Sequence, residues 1–286
     1  MSGRVERTWL DKVDQTSIAI PHTLQQAVIP IEYSRFKYGD GEIARQYGEL
    51  LAEKMIDEGL IAEGKHAVTS SAYKVAPPAS HSMLGSFVSR ARELAPQAII
   101  TPFKIDRHNL TEGDYASMGI EEREQIMEKN GLSMPEGFDT DLDSVVALDD
   151  ILVTGSHEKI IHKLFMRSGL SETPISYAYI LKVAEGSKDP RIEAAINHCA
   201  IRSLANVAKL NRETESFVPN ARICKMIVSS SPEEIVRFCD AMSDKTLETI
   251  SQYIEGDNLG DMGAYHEGVD VFRQAYMSRK TLTIAQ

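Results

Sequence analysis

Apolar residues follow two patterns along this chain: short continuous runs, and positions three and four residues apart. The alternation of these two patterns predicts an α/β fold. Short runs of apolar and β-branched residues predict strands at residues 66–72, 98–103, 145–148 and 175–183. Apolar positions three and four apart predict helices that begin at Asp40, at Ser80 and near Glu158. This alternation is typical of a mainly parallel sheet flanked by helices.

The period changes after Gly186, where the helical spacing dominates to the end of the chain. A capping box at Ser231–Glu234 begins one of these helices, and Ile223–Val228 is one possible strand among them. The expected fold is therefore an α/β domain with an appended, mostly helical C-terminal region. The expected parts are an N-terminal segment 1–38, an α/β domain 39–186 and a helical region 187–286.

Residues 104–143 form a long polar connection between two predicted strands, with a helix predicted at Ile120–Lys129. A connection of this length is usually a lid, a binding loop or a disordered segment.

Composition and charge restrict the environment and the partners. The chain has 286 residues, of which 42% are hydrophobic and 26% charged, and a net charge of −11. Such an acidic protein repels nucleic acids and anionic membrane surfaces, so neither is an expected partner. No apolar run approaches the roughly 20 residues that span a bilayer. The three cysteines lack metal-ligand spacing and are expected to be reduced thiols, so we predict a cytoplasmic protein.

The run Ser144–His157 carries the main candidate chemistry. A predicted strand ends in Asp149 and Asp150 and turns through Thr-Gly-Ser into a predicted helix. Ligands bind at the carboxyl ends of strands in open sheets, and helix N-termini bind phosphate. Gly155 allows close backbone approach, and the carboxylates suit sugar hydroxyls or Mg²⁺. These features predict a site for a phosphorylated sugar.

This run resembles the signature of type I phosphoribosyltransferases, which bind phosphoribosyl pyrophosphate (PRPP). The resemblance covers about residues 35–185, and Met118–Arg123 resembles a segment of the ComF-like branch. Two positions depart from the pattern: His157 stands where the family usually has Thr, and Val153 where purine-salvage members often have Asp. The second departure argues against 6-oxopurine salvage.

The resemblance implies an enzyme that transfers the 5-phosphoribosyl group of PRPP to a nitrogenous base and releases pyrophosphate. Asp149 and Asp150 would hold the ribose and the cofactor Mg²⁺. The 5′-phosphate would contact the loop residues Val153, Thr154, Gly155, Ser156 and His157.

The remaining parts of such a site are also identified by position. Tyr73 and Lys74 follow the first predicted strand of the sheet, where the family contacts pyrophosphate. Arg107 lies in residues 104–118, the expected lid, and would reach the leaving pyrophosphate. The base would be recognised by a hood from residues 1–38, from the C-terminal region or from both. The family is often dimeric, so a homodimer is possible.

Two alternatives stay open. One is a PRPP- or nucleotide-binding regulatory protein without transferase activity, which His157 favours slightly. The other is an unrelated α/β enzyme in which the Asp-Asp-x-x-x-Thr-Gly run arose by chance.

Overall fold

The computed structural model describes residues 4–13, 28–109, 131–183 and 191–284. The N-terminal part alternates strands and helices. Its elements are β1 (Val5–Val13), α1 (Pro30–Lys37), α2 (Gly41–Asp57), β2 (Gly64–Ser70), α3 (Leu84–Leu94), β3 (Ala98–Pro102), β4 (Asp106–Arg107), β5 (Leu132–Ser133), β6 (Ser144–Leu152), α4 (Ser156–Arg167) and β7 (Ile175–Val183). The C-terminal region is helical. Its elements are α5 (Arg191–Asn197), α6 (Leu204–Glu213), α7 (Ala221–Val228), α8 (Pro232–Ala241), α9 (Asp244–Gly256) and α10 (His266–Ile284).

A five-stranded sheet with the order β1-β7-β6-β2-β3 forms the centre of the α/β part. Every neighbouring pair in it is parallel, which confirms the predicted fold class. The chain winds outward from β2 to β3 and then returns to place β6 on the other side of β2. Ligands bind at the carboxyl ends of strands where the winding reverses in this way. The topology therefore directs attention to the ends of β2 and β6.

The four predicted strands are confirmed, and β6 extends beyond residue 148 to include both acids. The predicted start at Asp40 is also confirmed, because its carboxylate accepts a hydrogen bond from the Ile43 amide at 3.3 Å. Ser80 lies instead in a 3₁₀ turn, Ala79–Met83, and the helix after it begins at Leu84. The predicted helix Ile120–Lys129 lies outside the described residues, as does Met118–Arg123.

Segment 1–38 contains two elements that the sequence pattern did not predict. Val5–Val13 forms the edge strand β1, which pairs with β7 in the register Val5↔Ile175. Charged residues interrupt its apolar alternation because an edge strand is only partly buried. Pro30 begins α1, because proline suits the first helical position.

The possible strand at Ile223–Val228 is wrong, since these residues belong to α7. Asn220 caps this helix by accepting hydrogen bonds from the Arg222 and Ile223 amides, each at 3.1 Å. Ile223 and Ile227, four residues apart, both lie in the core of the helical region. The cap and this spacing outweigh the β-branched composition. The capping box at Ser231 is confirmed.

Hydrogen bonds join the helical region to the carboxyl edge of the sheet. The Val218 amide donates to the Gly39 carbonyl at 2.9 Å, and the Ala221 amide donates to the Pro77 carbonyl at 2.9 Å. The buried Asp257 carboxylate accepts from the Val75 amide at 2.9 Å. These contacts place α7 and the end of α9 over the ends of the strands.

Two general features of the described part of the chain concern membranes and cysteines. No helix there is long and apolar enough to cross a membrane. The three cysteines are free thiols, and burial raises the pKa of Cys239 to about 12.

Candidate functional site

Two adjacent carboxylates lie at the carboxyl end of β6. The side chains of Asp149 and Asp150 keep only 20% and 13% of their surface exposed. Asp149 Oδ1 accepts a hydrogen bond from Ser71 Oγ at 2.8 Å and another from the Asp150 amide at 2.9 Å. Ser71 follows β2, so the ends of the two central strands are joined at this point.

His157 pairs with the first of these acids. Its Nδ1 lies 2.7 Å from Asp149 Oδ2. Burial opposes the charged imidazolium, but the Asp149 carboxylate outweighs burial and raises the pKa of His157 above its ordinary value. Burial likewise opposes the negative charge of Asp149. The effect of His157 is larger than the effect of burial, so the pKa of the Asp149 carboxyl is lowered. When His157 is protonated, the two groups form an ion pair, and the contact between them fixes the position of the Asp149 carboxylate.

Lys37, at the end of α1, pairs with the second acid. Its Nζ contacts Asp150 Oδ2, and its side chain is only 6% exposed. The ammonium also lies 5.8 Å from the centre of the Tyr33 ring. No sequence signal identified Lys37, because the two partners are 113 residues apart in the chain.

The loop after β6 has the backbone geometry that a phosphate-binding turn requires. Gly155 has a φ of 74°, in the left-handed region that favours glycine, and α4 begins at the next residue. Thr154 Oγ1 lies 3.1 Å from Ser156 Oγ. Residues Val153–His157 line a cavity of about 230 Å³ together with both acids. The five residues that were predicted to contact the 5′-phosphate therefore lie together in one cavity.

The first turn of α4 is anchored to the edge of the sheet. Glu158 accepts hydrogen bonds from Arg7 Nη2 at 2.6 Å and from the Tyr179 hydroxyl at 2.9 Å. Arg7 belongs to the edge strand β1 and Tyr179 to its neighbour β7, so these two adjacent strands hold the helix that carries the loop.

The three residues predicted to contact pyrophosphate differ in their placement. Arg107 lines the small cavity and also a larger neighbouring one. Tyr73 lines only the larger cavity, where Lys104 Nζ lies 4.6 Å from its ring centre. Lys74 lines neither cavity, and its carbonyl accepts from Lys104 Nζ at 2.8 Å. Most of the predicted lid, residues 110–118, lies outside the described residues.

The larger cavity, of about 570 Å³, lies between the sheet edge and the helical region. Its walls come from α1, the turn after β2, α5, α7 and the chain between α9 and α10. The lining residues from the helical region include Glu193, His198, Arg222, Lys225, Met226, Asp257, Leu259 and Tyr265. Lys37, Arg107 and Asp150 line both cavities, so the cavities adjoin. Both proposed sources of a hood, segment 1–38 and the C-terminal region, contribute to this wall.

The two carboxylates of the site do not fit a bound Mg²⁺ ion. Lys37 and His157 already pair with the two carboxylates that were predicted to hold the ion. The part of the chain that the structure describes holds no cluster of three or more His, Cys, Asp or Glu side chains suited to a metal. We therefore assign no step to Mg²⁺, whose role stays a prediction.

The arrangement of acids, loop and strands can be compared with known families. The model of the family PRTase ComF-like matches residues 17–271. The chain belongs to the PRTase ComF-like family. This membership confirms the resemblance noted in the sequence. The match also extends past residue 185 and covers most of the helical region.

A solved structure also resembles this PRTase ComF-like chain. It is a hypoxanthine phosphoribosyltransferase from Staphylococcus aureus, with 10% sequence identity and a TM-score of 0.31. The match covers 49% of this chain and 75% of the other one. At this level of similarity it carries no argument about function. No curated protein sequence matches the chain.

Proposed function

We propose that this protein binds PRPP at the end of β6 and transfers its 5-phosphoribosyl group to a nitrogenous base in the larger cavity. The observation that carries the proposal is the junction of the two cavities at Asp150 and Arg107. A donor in the small cavity and an acceptor in the large one would meet there. The family membership supports the same reaction class.

Each part of the small cavity has a proposed role. The amides and hydroxyls of Val153–His157 would surround the 5′-phosphate, aided by the N-terminus of α4. Asp149 and Asp150 would accept hydrogen bonds from the ribose hydroxyls. Arg107 would stabilise the negative charge that develops on the leaving pyrophosphate.

In the proposed reaction a ring nitrogen of the base forms a bond to C1 of the ribose while the bond from C1 to the pyrophosphate oxygen breaks. The bonding electron pair leaves with pyrophosphate, and the base loses its proton to solvent. No covalent intermediate with the protein is needed. The walls of the larger cavity would shield the reacting carbon from water.

One observation favours a second function, a PRPP-binding regulator without transferase activity. Both acids are already paired with side chains of the protein itself, His157 and Lys37. Such a site could bind a sugar phosphate and signal its presence. The alternative of an unrelated α/β enzyme with a chance motif conflicts with the family match over residues 17–271.

Calorimetry with PRPP, followed by a pyrophosphate-release assay over a panel of bases, tests these functions. The transferase predicts binding and release with at least one base. Binding without release on any base would favour the regulator. Asp150→Asn should weaken PRPP binding in both cases, and unchanged binding would contradict the proposed placement of the ribose.

A further inference from the structure

Lys37 is a buried cation that the proposed reaction does not use. Its side chain is 6% exposed, and its ammonium pairs with Asp150, whose side chain is 13% exposed. Burying an ammonium group is costly unless an opposite charge or hydrogen bonds compensate. The position of Lys37 is therefore tied to Asp150, the second acid of the PRPP motif.

Both halves of the molecule hold Lys37 in place. The Lys37 carbonyl accepts a hydrogen bond from Asn220 Nδ2 at 3.2 Å, and Asn220 is the cap of α7. On the side of α1, the ammonium lies near the face of the buried Tyr33 ring, an attractive cation–π arrangement. These contacts make the ammonium a built part of the site rather than a mobile surface charge.

The charge of Lys37 lies where a divalent cation would otherwise be expected. A metal ion bound to Asp150 would be only a few ångströms from the ammonium, and two positive charges at that separation repel strongly in a partly buried site. His157 has the corresponding position at Asp149, with Nδ1 2.7 Å from Oδ2. Each acid of the motif therefore already has a side-chain partner from the protein, and the partner of Asp150 is a permanent charge.

We propose that Lys37 is the permanent counter-ion of Asp150, so that ribose phosphates bind at this site without a divalent metal. Lys37 acts as a positioning residue: it holds the carboxylate at the junction of the two cavities, where the other oxygen accepts a ribose hydroxyl. This inference rests on the proposed phosphoribosyl site, because it concerns how that site recognises its sugar. It changes the expected cofactor requirement for binding, not the ligand class.

The first test is calorimetry with ribose 5-phosphate, which lacks the pyrophosphate that would bring Mg²⁺ with it. The wild-type protein should bind it with the same affinity in EDTA as in excess Mg²⁺. Lys37→Met removes the charge and keeps the chain length, so binding in EDTA should fall by about tenfold or more, equivalent to about 1.4 kcal/mol. Excess Mg²⁺ should restore part of that loss, and Lys37→Arg should retain metal-free binding.

A matched control is available at Lys65, whose ammonium lies 2.6 Å from Asp141 in an exposed lysine–aspartate pair. Lys65→Met should leave binding unchanged in both solutions. The double variant Lys37→Met/Asp150→Asn removes both members of the buried pair and guards against misfolding of the single variant. It should fold and bind ribose 5-phosphate weakly, with no response to Mg²⁺.

The second test uses Mn²⁺ alone as a probe and reads the paramagnetic resonance signal of the free ion. The wild-type protein should not bind Mn²⁺ at this site, whereas Lys37→Met should gain a site that Asp150→Asn abolishes. Wild-type Mn²⁺ binding that is lost in Asp150→Asn would overturn the inference, and so would ribose 5-phosphate binding that requires Mg²⁺. In either case the phosphoribosyl site would survive. Failure of both PRPP and ribose 5-phosphate to bind under any condition would instead contradict the proposed function.

Discussion

The two adjoining cavities are built in different ways. Most of the lining of the smaller one comes from a single run, Asp149–Glu158, which includes the end of one strand and the start of one helix. The larger one is assembled from α1, the turn after β2 and the helical region, which are far apart in the chain. The smaller cavity therefore depends on local structure, whereas the larger one depends on how two halves of the molecule pack together. Substitutions in the helical half should therefore change mainly stability, whereas substitutions in the loop after β6 should change mainly ligand binding.

The largest expected effect comes from the packing of α7 against α10. A Cβ at Gly268 would lie 2.0 Å from the Val228 carbonyl oxygen, a backbone atom that cannot rotate away. Gly268→Ala should therefore lower the free energy of unfolding by about 3 kcal/mol, as severe overpacking does. Urea denaturation followed by circular dichroism measures the change.

Gly85→Ala is the control for this substitution. Apart from its chain neighbours and the backbone of its own helix, no described atom lies within 4 Å of its Cβ position, in the first turn of α3. Alanine there should be neutral or stabilising by roughly 0.4–1 kcal/mol, because it reduces the conformational freedom of the unfolded chain. Equal stability of the two variants would show that the helical half does not pack as described.

The next effect concerns the contact between the two halves at Asp257. This buried carboxylate accepts from the Val75 amide at 2.9 Å and from the Ala76 amide at 3.3 Å. Asp257→Ala leaves both donors without this acceptor and should cost about 1–3 kcal/mol. Asp257→Asn keeps an acceptor oxygen and should cost much less.

The same pair of variants gives a pH test. Burial is the main cause of the raised pKa of Asp257, and the Val75 amide opposes it only in part. Because the folded-state pKa lies above the unfolded value, the folded protein binds the proton more tightly. Stability should therefore fall as pH rises from the unfolded pKa through the folded one. Asp257→Asn should lack this fall, and an identical pH profile in both proteins would contradict the assignment.

The role of the smaller cavity is tested in the loop Val153–His157. Gly155 has a φ of 74°, so alanine there strains the backbone by about 1–2 kcal/mol. Gly155→Ala should weaken ribose 5-phosphate binding by about tenfold, since a shift of the loop amides costs at least about 1.4 kcal/mol of contact. Calorimetry measures this loss.

The opposite end of the same helix offers the matched control. Gly169, just after α4, has a φ of 90°. Gly169→Ala should lower stability by a similar amount and leave ribose 5-phosphate binding intact. A loss of binding in both variants would mean that strain in α4, rather than the loop geometry, controls the site.

Sequence reasoning succeeded where the determinants were local. The two acids at the end of a strand, the turn that contains Gly155 and the start of the next helix all follow from one run of residues. The cap at Asp40 and the capping box at Ser231 were equally readable, because a side chain and the amide it caps are only three residues apart.

The failures share a physical cause, which is dependence on distant contacts. Lys37 could not be found because its role arises only when α1 packs beside the end of β6. The edge strand β1 was missed because pairing with β7, rather than an apolar pattern, defines it. At Ile223–Val228 the β-branched composition favoured a strand, and burial of one helical face decided for α7. The loop after β6 was therefore predictable from the sequence, and the larger cavity was not.

The smallest expected effect distinguishes two histidines, His157 on the wall of the smaller cavity and His81 beside the Tyr73 ring. Asp149 raises the pKa of His157, whereas burial lowers the pKa of His81, with a smaller contribution from Lys104. Nuclear magnetic resonance titration should place the two on opposite sides of the ordinary histidine value. In Asp149→Asn, burial would no longer be opposed by this carboxylate, so the pKa of His157 should fall below the ordinary value.

The stability that this pair contributes has a defined pH window. The contribution of His157 is complete below its unfolded pKa and is lost as pH rises through the raised folded value. The contribution of Asp149 is complete above its unfolded pKa and is lost as pH falls through the lowered folded value. The wild-type protein should therefore exceed Asp149→Asn in stability most clearly in mildly acidic solution. If the pKa of His157 in the wild-type protein were at or below the ordinary histidine value, the ion pair with Asp149 would be contradicted. Asp149 would then behave as a solvated acid.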